Sequence, residues 1–145
     1  TIQSRGLGDV YKRQVLEMNF KEQTLKMSFN PDEFFCHSDG TILQGGFITT
    51  MLDASMAFLV MQLVDFKKVP LSIDVNVNFL SSGGPKLTIA VARINKIGKS
   101  IAFSSADLFQ DDELIATASS SIKLKDFESR NWIDDTIGKN VKIIR

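Results

Sequence analysis

Two glycines and one carboxylate stand out for the chemistry they could do. Gly45-Gly46 lead into an apolar segment, Phe47 to Val64, whose one charged residue is Asp53. A segment this apolar on nearly every face reads as a helix buried in a protein or in a membrane. A carboxylate two turns inside it is costly to keep unless a partner or a function retains it. At a helix start the first N–H groups are unpaired and carry the positive end of the dipole. Glycines there let a ligand approach the backbone closely. Such a site suits an anion, or a carbonyl oxygen that becomes negative during reaction. Asp53 would then act as a general base for water or as a nucleophile.

The spacing sharpens this. Gly45 and Asp53 are eight positions apart, which separates them by about 12 Å along the axis at about 1.5 Å per residue. One carbonyl cannot easily touch both within one subunit. If they cooperate, a second copy of the helix supplies one of them. The expectation is a homodimer with antiparallel central helices and two composite sites.

Plainer readings stand beside these. Asp53 could be a structural acid capped by Thr49, Thr50 or a partner backbone, since structural networks also hold buried carboxylates. The glycine pair could be a tight turn. His37 and Cys36 are the only residues of their types, so no zinc site of the usual ligand set is expected. No Gly-x-Ser-x-Gly elbow is present for a Ser-His-Asp triad. Met51, Met56 and Met61 recur every five residues, which makes them adaptable core and not one stripe. Lys96 and Lys99 read first as a solvated turn and second as phosphate-binding cations.

The rest of the chain must position the helix. Thr24 to Phe29 alternates and reads as a strand with Leu25, Met27 and Phe29 on one face. Asn30-Pro31-Asp32 breaks it. Glu33 to Leu43 reads as a loop or short strand with a turn at Ser38-Asp39-Gly40. Asp65 to Pro70 ends the helix. In Leu71 to Leu80 the alternation places Leu71, Ile73, Val75, Val77 and Phe79 on one face. Further strands are expected at Leu87 to Asn95, Ile101 to Gln110 and Leu114 to Leu124, joined by short turns. One long helix followed by four hairpin-linked strands implies an α+β domain, an antiparallel sheet curled round the helix. Residues 1–14 read as a non-native leader, 15–125 as the domain and 126–145 as a tail, with a short helix near Trp132 to Ile137 as one option.

With 145 residues the chain suffices for one domain and one core. Acidic and basic residues balance at 17 each, which gives no reason to expect nucleic acid or an anionic membrane as partner. The run Ile42 to Val64 is long enough to span a bilayer. Gln44, Gly45, Gly46, Thr49, Thr50 and Asp53 would then lie in hydrocarbon, so no membrane span is expected. One cysteine allows no internal disulfide and fits a reducing, cytoplasmic compartment.

Three stretches, Gln44-Gly45-Gly46-Phe47, Met51-Leu52-Asp53 and Ser72-Ile73-Asp74-Val75-Asn76-Val77-Asn78-Phe79-Leu80, resemble the hotdog-fold acyl-CoA thioesterases. The resemblance is to the phenylacetate-pathway-type branch, related to the 4-hydroxybenzoyl-CoA thioesterases, and covers about Asn30 to Leu124. It implies a helical sausage in a curved antiparallel sheet, a dimer or dimer of dimers. It further implies hydrolysis of an acyl-CoA ester to a free acid and coenzyme A; the apolar pocket candidates alone suggest a medium-chain or aromatic acid. Asp53 stands where the family has its base or nucleophile, and Gly45 where a helix-start N–H polarises the thioester carbonyl. Gly46 and Gln44 adjoin it, and Ser72 matches a serine that positions water in some relatives. Gly98 and Lys99 fall in a hairpin that commonly meets coenzyme A. No metal or redox cofactor is implied. Many relatives carry His where this chain has Gln44. Gln hydrogen-bonds but does not titrate, so catalysis would lean on Asp53. That exchange also motivates an alternative, a non-catalytic acyl-CoA-binding or sensing module. A hydratase of the same fold would need a catalytic His, and His37 lies outside the helix.

Overall fold

The computed structural model describes residues 12–126 and 141–145. Its elements run β1 (Gln14–Asn19), β2 (Thr24–Phe29), a 3-10 turn (Glu33–Phe35), β3 (Cys36–His37) and β4 (Ile42–Leu43). Then follow α1 (Gly45–Leu63), β5 (Lys68–Phe79), β6 (Thr88–Ile97), β7 (Ile101–Gln110), β8 (Glu113–Asp126) and β9 (Lys142–Ile144). Seven strands form one sheet in the order β5-β8-β7-β6-β2-β1-β9, while β3 and β4 pair by themselves. Every pairing described is antiparallel except that of β1 with β9, which is parallel. The expected α+β layout is what the chain adopts: α1 packs on one face of the sheet, against β2, β5, β6, β7 and β8.

Side-chain size explains how closely it packs. The helix-facing positions of the central strands are small: Ala90 and Ala92 on β6, Ala102, Ser104 and Ala106 on β7, Ala118 and Ser120 on β8, all buried. Small residues let the helix approach, and its bulky side chains fill the space. Leu52, Met56 and Leu59 are fully buried. The three methionines Met51, Met56 and Met61 are all core, as their spacing suggested. The helix is long and apolar enough to cross a membrane by composition alone, yet this apolar surface is matched by the sheet beneath it. Its end is marked by Asp65 and Phe66, both at left-handed φ (52° and 57°). The Phe66 N–H donates to the Met61 carbonyl at 3.0 Å, and the Phe66 ring turns back into the core.

The structure departs from the sequence expectations at four places. First, β1 was not foreseen, and it begins at Gln14, inside the segment read as a leader; Gln14 pairs with Ser28 and the Arg13 guanidinium lies 5.1 Å over the Phe58 ring. Residues 1–11 lie outside the described residues. Second, the tail ends in β9, whose partner β1 is far away in sequence; the option of a helix near Trp132 lies outside the described residues. Third, β5 starts at Lys68 and runs through Pro70. A proline is tolerated there because β5 is an edge strand, where a missing N–H need cost no ladder bond.

Fourth, β5 does not keep one apolar face. A β-bulge falls between Ser72 and Asp74, with Ser72 opposite Ile122 and Asp74 opposite Ser121. A bulge adds one unpaired residue and reverses the alternation across it. Val75, Val77 and Phe79 therefore share the helix-facing side with Ser72, while Leu71 points the other way, opposite Lys123.

Candidate active site

Asp53 sits in the third turn of α1, half-buried, on the helix side that the sheet leaves partly open, within reach of the edge strand β5. Gly46, Thr49, Thr50, Asp53, Ala54 and Ala57 are the residues along that side that remain partly or fully exposed. Thr49 and Thr50 do not cap the acid. Their hydroxyls donate to the Gly45 and Gly46 carbonyls one turn back, at 2.8 and 2.9 Å. The partner of Asp53 is Ser72, whose Oγ donates to Asp53 Oδ1 at 2.6 Å. That is a charge-assisted hydroxyl–carboxylate distance. The bulge makes the bond possible by turning Ser72 toward the helix. No second partner of the carboxylate is present among the described residues, so its other oxygen is open.

The helix start is a separate place. Gln44 is the N-cap, but its side chain makes no capping bond and is exposed. Its backbone N–H donates to the Phe35 carbonyl at 3.0 Å, and its carbonyl accepts from Phe47 and Ile48. The N–H groups of Gly45 and Gly46 have no partner among the described residues, so two donors face outward at the positive end of the dipole.

The two glycines are not equivalent. A Cβ on Gly45 would come within 3.2 Å of the Phe79 ring, whereas one on Gly46 would meet nothing within 4 Å. Gly45 is needed for the close approach of Phe79; Gly46 leaves the helix end open from outside. Beside them lies a hollow of about 370 Å³ lined by Ile42, Leu43, Gly45, Ile48, Phe79, Leu80, Ser81 and Ser82. None of these residues is charged, and Asp53 is not among them.

Gly98 and Lys99 lie elsewhere again, in the β6–β7 hairpin. Lys68 Nζ donates to the Lys99 carbonyl at 2.7 Å, and the Leu124 N–H donates to the Ser100 carbonyl at 2.8 Å. The hairpin thus borders the start of β5 and the end of β8, where Lys123 and Lys125 add positive charge. Gly45 lies against Phe79, at the other end of β5. Eleven residue steps of strand, at about 3.3 Å each, separate Lys68 from Phe79 by roughly 36 Å. One chain therefore groups its candidates in three clusters: Gln44, Gly45 and Gly46; Asp53 and Ser72; Gly98 and Lys99.

Two residues of this region have roles that the sequence does not give them. Phe79 forms a pocket wall, and nothing local marks it beyond its place in an alternating strand. Gln110, 3 % exposed, holds the loop after β5. Its Oε1 accepts from the Gly84 N–H at 2.9 Å, and its Nε2 donates to the Gly84 carbonyl and to Thr88 Oγ1. A single amide at the end of an alternating strand was the one available signal.

Other reactive groups do not join these clusters. Burial, and then Asp32 and Glu33, push the Cys36 thiol above its usual range, which keeps it protonated and a poor nucleophile. His37 is exposed, with Nδ1 3.0 Å from Ser38 Oγ. Among the described residues no three His, Cys, Asp or Glu side chains gather as metal ligands.

Comparison with known proteins agrees with this layout. The family model described as Thioesterase superfamily matches residues 40–117, from the turn before the helix to the middle of β8. Among solved structures the chain is similar to a phenylacetic acid degradation-related protein of Ralstonia eutropha JMP134, with a TM-score of 0.77 and 21% identity, covering 84% of this chain and 96% of that one. A thioesterase from Haemophilus influenzae gives a TM-score of 0.75 at 14% identity, over 89% of this chain and 90% of that one. A variant thioesterase from Pseudomonas aeruginosa gives 0.74 at 20% identity, over 86% and 89%. No curated protein matches the chain. At such identities the structural likeness speaks for the fold, one helix in a curved sheet, the hotdog arrangement.

Proposed function

This chain belongs to the thioesterase superfamily and is a thioester hydrolase, and from that premise we propose that it cleaves acyl-CoA esters to a free acid and coenzyme A. The acyl group is medium-chain or aromatic. The thioester carbonyl rests on the Gly45 and Gly46 N–H groups, with the Gln44 amide beside them. These donors stabilise the oxyanion as the carbonyl is attacked. Asp53 of a second copy takes a proton from the attacking water with its open oxygen, while Ser72 holds the other oxygen in place. Collapse of the intermediate breaks the C–S bond, and coenzyme A leaves as the thiol with the proton that Asp53 took from the water. The lysine-rich end around Gly98 and Lys99 attracts its phosphates. Water and a carboxylate suffice, so no metal or redox cofactor enters, and the enzyme works in the cytoplasm.

The observation that carries the reading is the separation of two half-sites on one helix. The donors at the helix start adjoin a hollow that Asp53 does not line, and about 12 Å of helix lies between them. An antiparallel second helix brings an acid to each set of donors. Two features support such a dimer. The exposed side of α1 around Gly46, Thr50, Asp53 and Ala57 is small-residued, which permits close helix approach. The edge strand β5 also exposes Leu71 and Ile73 beside its unpaired backbone, a surface that favours pairing with another chain. A dimer, or a dimer of dimers, is the proposed working form.

Mixing tests this directly. Asp53→Ala and Gly45→Val are each expected to be inactive alone. Unfolded together and refolded as a mixture, they form heterodimers with one intact composite site, and activity returns. Absence of any recovery, with heterodimers demonstrated by mass, would overturn the shared site. A single turnover in ¹⁸O-labelled water is expected to place label in the released acid. Label absent from the first turnover would instead make Asp53 the nucleophile.

A further inference from the structure

We propose that Phe79 determines which acyl group the enzyme accepts; this rests on the acyl-CoA hydrolysis proposed above and specifies its substrate. The hollow beside Gly45 is where one substituent of a carbonyl bound at the helix start must lie. Its lining has no charge, and Ile42, Leu43, Ile48, Phe79 and Leu80 make it mainly apolar. The lining offers no cation to the charged, phosphate-bearing half of coenzyme A, and Lys86 in the loop after β5 is already paired with Asp111 at 2.7 Å. The acyl group is therefore the occupant. At about 370 Å³ the hollow is near the lower end of the roughly 300–1,000 Å³ usual for ligand sites. It suits a compact acyl group.

Of its walls, Phe79 is the one aromatic ring, and it is the one that packs on Gly45 at the helix start. Backbone hydrogen bonds hold the chain around it. The Leu80 and Ser81 N–H groups both donate to the Ile115 carbonyl, at 2.9 and 3.1 Å, and the Leu43 N–H donates to the Gly83 carbonyl at 2.9 Å. The loop that follows is clamped at Gly84 by both ends of the buried Gln110 amide. Gly83 packs closely there, with no room for a side chain: a Cβ would lie 2.9 Å from Gln110 Oε1. Ile48 is fixed in the core. The Phe79 ring is 56% exposed and packs on Gly45 so closely that a Cβ there would lie 3.2 Å from it. Its size thus sets the room beside the carbonyl. Trimming it opens the hollow without disturbing the donors, and enlarging it closes the hollow.

The test is thiol release by the full chain from coenzyme A esters of straight-chain acids, acetyl to dodecanoyl, and of phenylacetic acid. Wild type is compared with Phe79→Ala and Phe79→Trp. In the Ala variant the preference, as a ratio of kcat/KM values, is expected to move toward longer or bulkier esters by about tenfold or more, the scale of a methylene-sized change in an apolar pocket. In the Trp variant it moves toward shorter ones. Opposite shifts are not the signature of general damage, which lowers all esters alike. Phe79→Leu carries the same comparison if the Ala variant fails to fold. An unchanged order of esters in folded variants overturns the role of Phe79 and leaves the hydrolysis standing. A wild type that releases thiol from none of these esters overturns the acyl-CoA reading, and this inference with it.

Discussion

The two ends of β5 solve different problems with different means. Near its start, Ser72 meets Asp53 through a side chain, at 2.6 Å, and does so because a bulge reversed the strand's alternation. At its finish, Phe79 meets Gly45 through the absence of a side chain, its ring 3.2 Å from where a Cβ would stand. One end orients a charge; the other shapes a space. A carboxylate needs a directed hydrogen bond, and a hydroxyl supplies it only when aimed correctly. A pocket wall needs only bulk on one side and room on the other. The acid end should therefore govern rate, and the aromatic end should govern choice of substrate.

Substitutions can break or sharpen this contrast. The largest effect is expected for Asp53→Ala, which removes the base: thiol release falls by about a thousandfold, within the range for general bases, while sedimentation still shows the wild-type assembly. Turnover close to wild type would remove Asp53 from the mechanism. Next comes Gly45→Ala. Its Cβ forces the Phe79 ring aside by a few tenths of an ångström, and kcat/KM for the best ester drops by about tenfold, as expected for a misfitted apolar pocket. If all esters are instead affected equally, the contact with Phe79 is not what Gly45 is for.

Ser72→Ala is expected to cost a similar or smaller factor, about three- to tenfold, the worth of one modest hydrogen bond. That loss should fall in kcat with KM unchanged, because Ser72 orients the acid and does not hold the acyl group. A change confined to KM would move Ser72 to substrate binding. Least of all is expected from Gly46→Ala. The new methyl meets open space within one chain, and alanine is favoured over glycine in a helix by up to about 1 kcal/mol. Thermal stability should hold or rise slightly, with activity down a few-fold at most. A dissociated dimer in this variant would mean that the partner helix packs on Gly46 more closely than a methyl allows.

Much of this is legible in the sequence. The helix, β2, β6, β7 and β8 announce themselves by period and by the turns between them, and the structure finds them close to where the sequence puts them. The glycine pair at the helix start and the acid two turns in are visible as a local pattern. The bulge at Ile73 is not, because Leu71 to Leu80 alternates without a flaw in one dimension. Its reversal depends on the register with β8, which starts more than thirty residues later. For the same reason β9 was missed: a three-residue strand has no period of its own and exists only by pairing with β1. The first strand was missed because the residues around Gln14 resemble a foreign leader, yet Val15 and Met18 are core residues.

By itself, then, the sequence determined the local chemistry and the kind of fold. An apolar helix with one acid had to be covered, and the strands able to cover it alternate in the chain. Glycine at a helix start leaves donors open whatever surrounds it. Only the tertiary structure decided which side chains meet. Ser72 reaches Asp53, Phe79 reaches Gly45 and Gln110 clamps Gly84 because strands far apart in sequence lie in one particular register. A hydrogen bond of 2.6 Å or a contact of 3.2 Å fails with a one-residue slip, and no local preference sets that register.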